Sequence, residues 1–333
     1  MRDEQDGYGA DMRYRQLGQS GLTVSVVGLG ANNFGGRLDL DRSRPVIEAA
    51  LDAGINLIDT SDSYGSKGGS EAIIGEVLEL NGRRDEAVIA TKFGSDMGGS
   101  NGPDWGARAS RRYIVRAVET SLRRLRTDWI DLYQLHRPDG VTPLGETLSA
   151  LDDLVRSGKV RYIGSSNLSA WQVADADSIA RELGIARYVS AQNHYSLLSR
   201  GIELDLVPCC LAHGVSVIPY FPLASGFLTG KWRRGDEPPA GSRLSEPWGK
   251  AMATSNKRGF DIVEGLQSFA DETGVDMVSV AIGGLAAKPA VASVIAGATS
   301  VEQVAANAAA SDFGPTPEQL QRIDEITAPA PRR

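Results

Sequence analysis

Four side chains in this sequence stand where their types and spacing could do chemistry: an acid, a lysine, a histidine and a tyrosine. The apolar run Ile55, Leu57, Ile58 stops at Asp59, and Tyr64 follows five residues later in a Ser/Gly-rich loop. Lys92 closes the next such run, "AVIATK", and His136 closes "IDLYQLH". Later runs end in Ser165 and Ser166 followed by Asn167, in Gln192 and Asn193, and in Tyr220. Taken singly, Asp59 could cap a turn, Lys92 could be a rim cation, His136 a buried hydrogen-bonded ring and Tyr64 a surface residue. Delivered to one place, they could move a proton and stabilise a developing negative charge.

The elements that would position them are legible from periodicity. Short β-rich runs at 24–30, 56–61, 87–92, 130–136, 162–166, 188–194, 216–222 and 293–297 alternate with amphipathic stretches such as "SRRYIVRAVETSLRRL". Eight strands, each followed by a helix, predict a single-domain (β/α)8 barrel over residues 13–327. An open doubly wound sheet is the rival, but "GLGANNFGG" offers Gly28 and Gly30 with Asn33 where a third glycine belongs. Residues 1–12 are expected to be a loose tail and 328–333 a frayed end. Two long loops, 94–109 and 223–257, leave strand ends at the face where barrels carry their sites, so both are expected to be functional or disordered.

Composition narrows the classes. The 333 residues are 41% hydrophobic and 23% charged, an ordinary globular balance. A formal charge of −7 argues against a nucleic-acid surface or a polybasic membrane patch. No apolar run is long enough to span a bilayer. The two cysteines, Cys209 and Cys210, are adjacent and make no useful staple, which points to a reducing cytoplasm. Three histidines, His136, His194 and His213, leave little material for a metal site, so no metal is expected and a metal-dependent hydrolase is disfavoured. Oligomeric state is left open.

Six segments in order, "GINLIDTSDSYG", "ATKFG", "DLYQLHRPD", "GSSNLS", "QNHYSLL" and "YFPLASGFLTGK", resemble the successive signatures of the aldo-keto reductase superfamily. The similarity runs from about Arg13 to Thr327 and is nearest the bacterial branch that also resembles potassium-channel β subunits. It implies hydride transfer from NADPH, with NAD possible, to a small-molecule carbonyl. Tyr64 would be the proton donor, Lys92 would lower its pKa, Asp59 would hold Lys92, and His136 would orient the substrate oxygen. The resemblance also implies cofactor contacts. Ser166, Asn167 and Gln192 would meet the nicotinamide carboxamide, and Tyr220 would stack on its ring. Leu223, Ser225, Gly226 and Lys231 would wrap the pyrophosphate, with Arg243 reaching phosphate as well.

Gly30 and the last signature, "IAGATSVEQVAAN", complete the cofactor set through Gly297, Thr299, Gln303 and Asn307. Here the chain departs from the family: Ala296 replaces a proline and Ala306 a glutamate. Preference for NADP then rests on Lys231, Arg243 and Gln303. Phe34 and Trp105, with Trp248, are candidates to line a largely apolar substrate pocket. Simple aldehydes, ketosugars and ketones on larger metabolites are the candidate substrates. The alternative that the resemblance permits is a cofactor-binding regulatory subunit with slow or no turnover.

Overall fold

The computed structural model describes residues 12–254 and 258–328. The tail expected over 1–12 therefore lies outside the described residues except for Met12, and the frayed end except for Ala328. Eight parallel strands close into a barrel: β3 (Val27–Gly30), β4 (Leu57–Asp59), β5 (Val88–Phe93), β6 (Ile130–Leu135), β7 (Val160–Ser166), β8 (Tyr188–His194), β9 (Ser216–Tyr220) and β10 (Val294–Gly297), with β10 pairing both β9 and β3. This is the expected (β/α)8 fold. Helices α1 (Leu40–Asp52), α2 (Tyr64–Asn81), α3 (Arg111–Leu125), α4 (Leu144–Arg156), α5 (Ala170–Leu183) and α6 (Leu206–His213) fill the first six crossovers. Their apolar stripes pack on the outer strand faces, as with Ile114, Ala117 and Val118 of α3.

The first predicted strand is divided. Residues 23–25 form β2, which pairs antiparallel with β1 (Tyr14–Gln16) in a hairpin. Ser25 ends it by spending its hydroxyl on Val27 O and its N–H on Asn56 Oδ1. The hairpin inserts Leu17 and Val24 among the inward residues Leu57, Ala90, Leu132 and Ile218, so the end opposite the site is plugged.

The segment 223–257, expected to be functional or disordered, is folded over its described residues and lines the cavity. It contains 3-10 turns at 224–229 and 243–245 and the helix α7 (Pro247–Thr254). With α8 (Gly259–Thr273) and α9 (Met277–Ala286) it builds a satellite core in which Phe227, Trp232 and Phe260 meet ring to ring. Gly/Pro content hid an apolar set spaced too irregularly to show periodicity. Helices α7, α8 and α9 make the last crossover, and β10 is followed by α10 (Val301–Ala309) and α11 (Pro317–Thr327). No helix among the described residues is long and apolar enough to cross a membrane.

Tyr64 begins α2, but the next four residues are left-handed: Gly65, Ser66, Lys67 and Gly68 all have positive φ. That turn packs backbone to backbone against the loop after β3. A Cβ on Gly65 would lie 2.3 Å from Phe34 O, and one on Gly35 would lie 2.7 Å from Gly69 C. Gly65→Ala therefore combines a left-handed penalty with a backbone clash and should cost about 1–3 kcal/mol. Urea unfolding measures this, and an unchanged midpoint would contradict the packing account.

Candidate active site

The mouth at the C-terminal strand ends holds a cavity of about 1060 Å³. Register explains why the acid and the lysine meet beneath it. Asp59 pairs with Ala90, and Lys92 lies two residues further along β5, so both side chains point into the barrel. Lys92 Nζ donates to Asp59 Oδ2 at 2.7 Å and to Thr60 O at 2.8 Å. The lysine is wholly buried and the aspartate nearly so. Asp59 Oδ1 accepts from Gln192 Nε2 at 2.7 Å and from Gln134 Nε2 at 3.4 Å. Burial opposes the lysine's charge, but Asp59 and the Tyr64 oxygen outweigh it and hold its pKa above the ordinary value.

Tyr64 sits over this pair, with Lys92 Nζ 5.0 Å from its ring centroid. Its pKa is raised rather than lowered. Burial of the phenol is the largest cause; the Lys92 charge pulls it down, Asp59 pushes it up, and Arg243 pulls it slightly down. The expectation that Lys92 leaves an easily ionised phenol thus fails in its net effect. The lysine acts in the expected direction, but burial wins and Tyr64 keeps its proton at neutral pH.

The His136 ring meets that of Tyr64 edge to face at 6.0 Å. Its Nδ1 lies 2.9 Å from Ser95 Oγ and 3.2 Å from Ser61 Oγ. Two hydroxyls able to donate to Nδ1 favour the tautomer with its proton on Nε2. Burial, then the charges of Lys92 and Arg137, lower the imidazole pKa to about 3, so the ring is neutral in the physiological range. A protonated phenol, a neutral imidazole and a buried ammonium therefore surround one part of the cavity. Such a set can give a proton to, and stabilise, an oxygen that gains negative charge.

The rest of the wall comes from the ends of β7 to β10. Asn167, itself left-handed at φ 59°, donates to His136 O at 3.1 Å and to Ser166 Oγ at 3.0 Å. Its Oδ1 accepts from the Tyr220 hydroxyl at 2.8 Å. His194 stacks on the Tyr220 ring at 5.6 Å and braces it. Gln192 donates one amide N–H to Asp59, which leaves its carbonyl oxygen and its second N–H for other partners. Leu223, Ser225, Gly226, Lys231 and Arg243 line the same cavity, and Arg243 donates to Asn32 Oδ1 and Asn33 Oδ1. Gly30 pairs with Gly297 at the lip. Thr299 N donates to Gln303 Oε1 at 2.9 Å, and Asn307 lies buried behind Gly297 O.

Two expected pocket residues are elsewhere. Phe34 is fully buried in the main core, where it anchors the loop after β3, and it does not line the cavity. Trp105 is 73% exposed, away from the cavity wall, with the Arg112 guanidinium 4.8 Å over its ring. The Trp248 side chain lies outside what the structure describes. Reading the sequence missed Ser61, Ser95, Gln134 and His194. Ser61 alone carried a signal, its place within the "DTSDSYG" loop. Among the described residues no group of three or more His, Cys, Asp or Glu side chains could hold a metal ion.

Compared with known proteins, residues 26–328 match the family model described as Aldo/keto reductase family. The chain is 36% identical over 329 residues to a probable voltage-gated potassium channel subunit beta of Oryza sativa, covering 97% of this chain and 98% of that one. It is 35% identical over 344 residues to versiconal hemiacetal acetate reductase of Aspergillus parasiticus, covering 96% and 98%. An uncharacterized oxidoreductase, YrpG, of Bacillus subtilis is 36% identical over 327 residues, covering 95% and 96%.

The imidazole yields a test of the electrostatics. Folding lowers the His136 pKa from an unfolded value near 6.5 to about 3, so in that window the unfolded chain binds the extra proton. Its contribution to stability is fully present above about pH 6.5 and is lost as pH falls toward 3. In an NMR titration the His136 ring should remain neutral from pH 8 to pH 5; a midpoint near 6.5 would contradict the environment described.

Proposed function

The chain belongs to the aldo/keto reductase family of oxidoreductases, and on that premise we propose that it reduces the carbonyl group of a small molecule with NADPH. The observation that carries the reading is the buried Lys92–Asp59 pair held beneath a protonated Tyr64, with neutral His136 alongside. We assign the catalytic unit to residues 13–327. The adjacent free cysteines Cys209 and Cys210 support work in a reducing cytoplasm.

Orphaned atoms favour a phosphate-bearing cofactor. Ser225 Oγ and Ser242 Oγ are buried at the cavity wall without hydrogen-bond partners, and Ser225 sits in a left-handed turn beside Gly226. Unpaired donors of that kind suit anionic oxygens. In this reading Leu223, Ser225, Gly226 and Lys231 hold the pyrophosphate. Ser166, Asn167, the Gln192 carbonyl oxygen and the Tyr220 ring fix the nicotinamide. Gly30, Gly297, Thr299, Gln303, Arg243 and Asn307 shape the adenosine end. When bound, the cofactor supplies hydride. Tyr64 then gives its proton to the substrate oxygen while His136 Nε2–H and the Lys92 charge stabilise that oxygen. NADP is favoured over NAD through Lys231, Arg243 and Gln303, and comparing kcat/KM for NADPH and NADH tests this.

Likeness to proteins named as channel β subunits supports a second reading, a cofactor-binding regulatory subunit with little turnover. Following NADPH oxidation against a panel of aldehydes and ketones separates the two; tight binding with no member reduced would favour the second. Tyr64→Phe should lower carbonyl reduction about 10²–10⁴-fold while NADPH still binds, and near-normal turnover in that variant would overturn the acid assignment. Lys92→Met strands the Asp59 charge in the interior. It should cost about 3–5 kcal/mol in denaturant unfolding and depress turnover as well.

A further inference from the structure

Five lysine or arginine side chains line the cavity, and they are not equivalent: Arg37, Arg108, Arg137, Lys231 and Arg243. Arg37 is paired with Glu246 at 2.6 Å. Arg108 is paired with Asp96 and Asp104, each at 3.0 Å. Arg243 is held by Asn32 and Asn33. Among the described residues the side chains of Lys231 and Arg137 have no hydrogen-bond or ion-pair partner. Lys231 stands on the turn after β9, on the side assigned above to pyrophosphate. Arg137 stands on the other side, directly after His136.

Its charge reaches the catalytic neighbourhood, since it depresses the His136 pKa and opposes the rise in that of Tyr220. Among the described residues no carboxylate pairs with it directly. Asp139 accepts from the backbone N–H groups of Ala109, Val141 and Thr142 at 2.8–2.9 Å, and Asp96 is taken by Arg108. The walls on this side are otherwise Ser63, Gly94, Ser95, Gly106, Pro138, Asp139 and the Arg108–Asp96 pair, and neither Phe34 nor Trp105 adds an apolar face. A polar recess with one uncommitted guanidinium discriminates by charge rather than by apolar fit.

We propose that Arg137 is a specificity-determining residue and that the substrate is an aldehyde or ketone carrying an anionic group, a carboxylate or a phosphate. This rests on the carbonyl-reductase reading. The guanidinium fork matches both oxyanions bidentately and carries its charge at any working pH. At a solvent-accessible mouth the attraction is screened by salt, so the preference weakens as ionic strength rises.

The test compares kcat/KM, with NADPH saturating, for two charge-differing pairs: succinic semialdehyde against butanal, and glycolaldehyde phosphate against glycolaldehyde. In the wild type at least one anionic member should exceed its neutral counterpart by about tenfold, the worth of one charge-assisted hydrogen bond. The pair with the larger ratio identifies carboxylate or phosphate. That ratio should fall toward one in Arg137→Ala and be partly kept in Arg137→Lys. A wild-type ratio near or below one in both pairs, or an undiminished ratio in Arg137→Ala, overturns the proposal. Should no aldehyde be reduced, the reductase reading fails, and the anion site is then judged by calorimetric titration with succinate and 2-phosphoglycolate. Binding weakened tenfold or more in Arg137→Ala supports the site, whereas undetectable or unchanged binding overturns it.

Discussion

A lysine with no exposed surface, bound to an aspartate almost as deep, is the constraint around which the rest of the mouth is arranged. Desolvating two charges costs several kcal/mol per ion, and their attraction recovers it only if every remaining donor and acceptor finds a partner. Here Thr60 O accepts a second N–H of Lys92, while Gln192 and Gln134 donate to the other Asp59 oxygen; Gln134 Oε1 alone of this set is buried without a partner. The pair and its partners thereby tie together β4, β5, β6 and β8. Register among strands far apart in sequence is enforced at the level where a ligand would lie.

From that pair follows a balance of opposing effects on Tyr64. The ammonium favours phenolate, whereas burial disfavours any new charge and is the larger influence. The result is a phenol that stays protonated at neutral pH, which in the proposed reaction suits a proton donor better than a phenol already ionised would. His136 obeys the same logic from the other side. Burial and the neighbouring cations keep it neutral, so in the proposed reaction it can donate a hydrogen bond but adds no competing proton. The left-handed turn at residues 65–68 is the conformational cost of placing the phenol there, offset by close packing on the loop after β3.

Strand order, the (β/α)8 count and the four central residues were legible in the sequence because each depends on local pattern: apolar runs of strand length, and polar residues at their C-terminal ends. What escaped depends on side chains separated by long stretches of chain. The Gln192 amide reaches back 133 residues to Asp59, so a side chain expected to meet a ligand also holds the ion pair. Nothing in the sequence singles out Ser95, which folding brings to His136 Nδ1. Phe34 and Trp105 failed as pocket residues for opposite reasons: burial in the core claims one, and solvent together with Arg112 claims the other. Position along the chain places a residue near the mouth but does not say which way its side chain turns.

The two halves of the cavity differ in how far the chain has already organised them. On the side of β7, β8 and β9, Ser166, Asn167 and Tyr220 bond to one another or to neighbouring backbone, and His194 backs the Tyr220 ring, so a ligand meets surfaces whose entropy of ordering is already spent. Across the mouth, the loops after β5 and β6 present Ser95, bonded to His136 Nδ1, and the exposed guanidinium of Arg137, which has no partner among the described residues. Strand ends change little without breaking the barrel, whereas these loops can change without disturbing the Lys92–Asp59 network. On the proposed reading, the division places chemistry on the rigid elements and selection on the adaptable ones, so that substrate choice would belong to the loops beside His136 rather than to the acid itself.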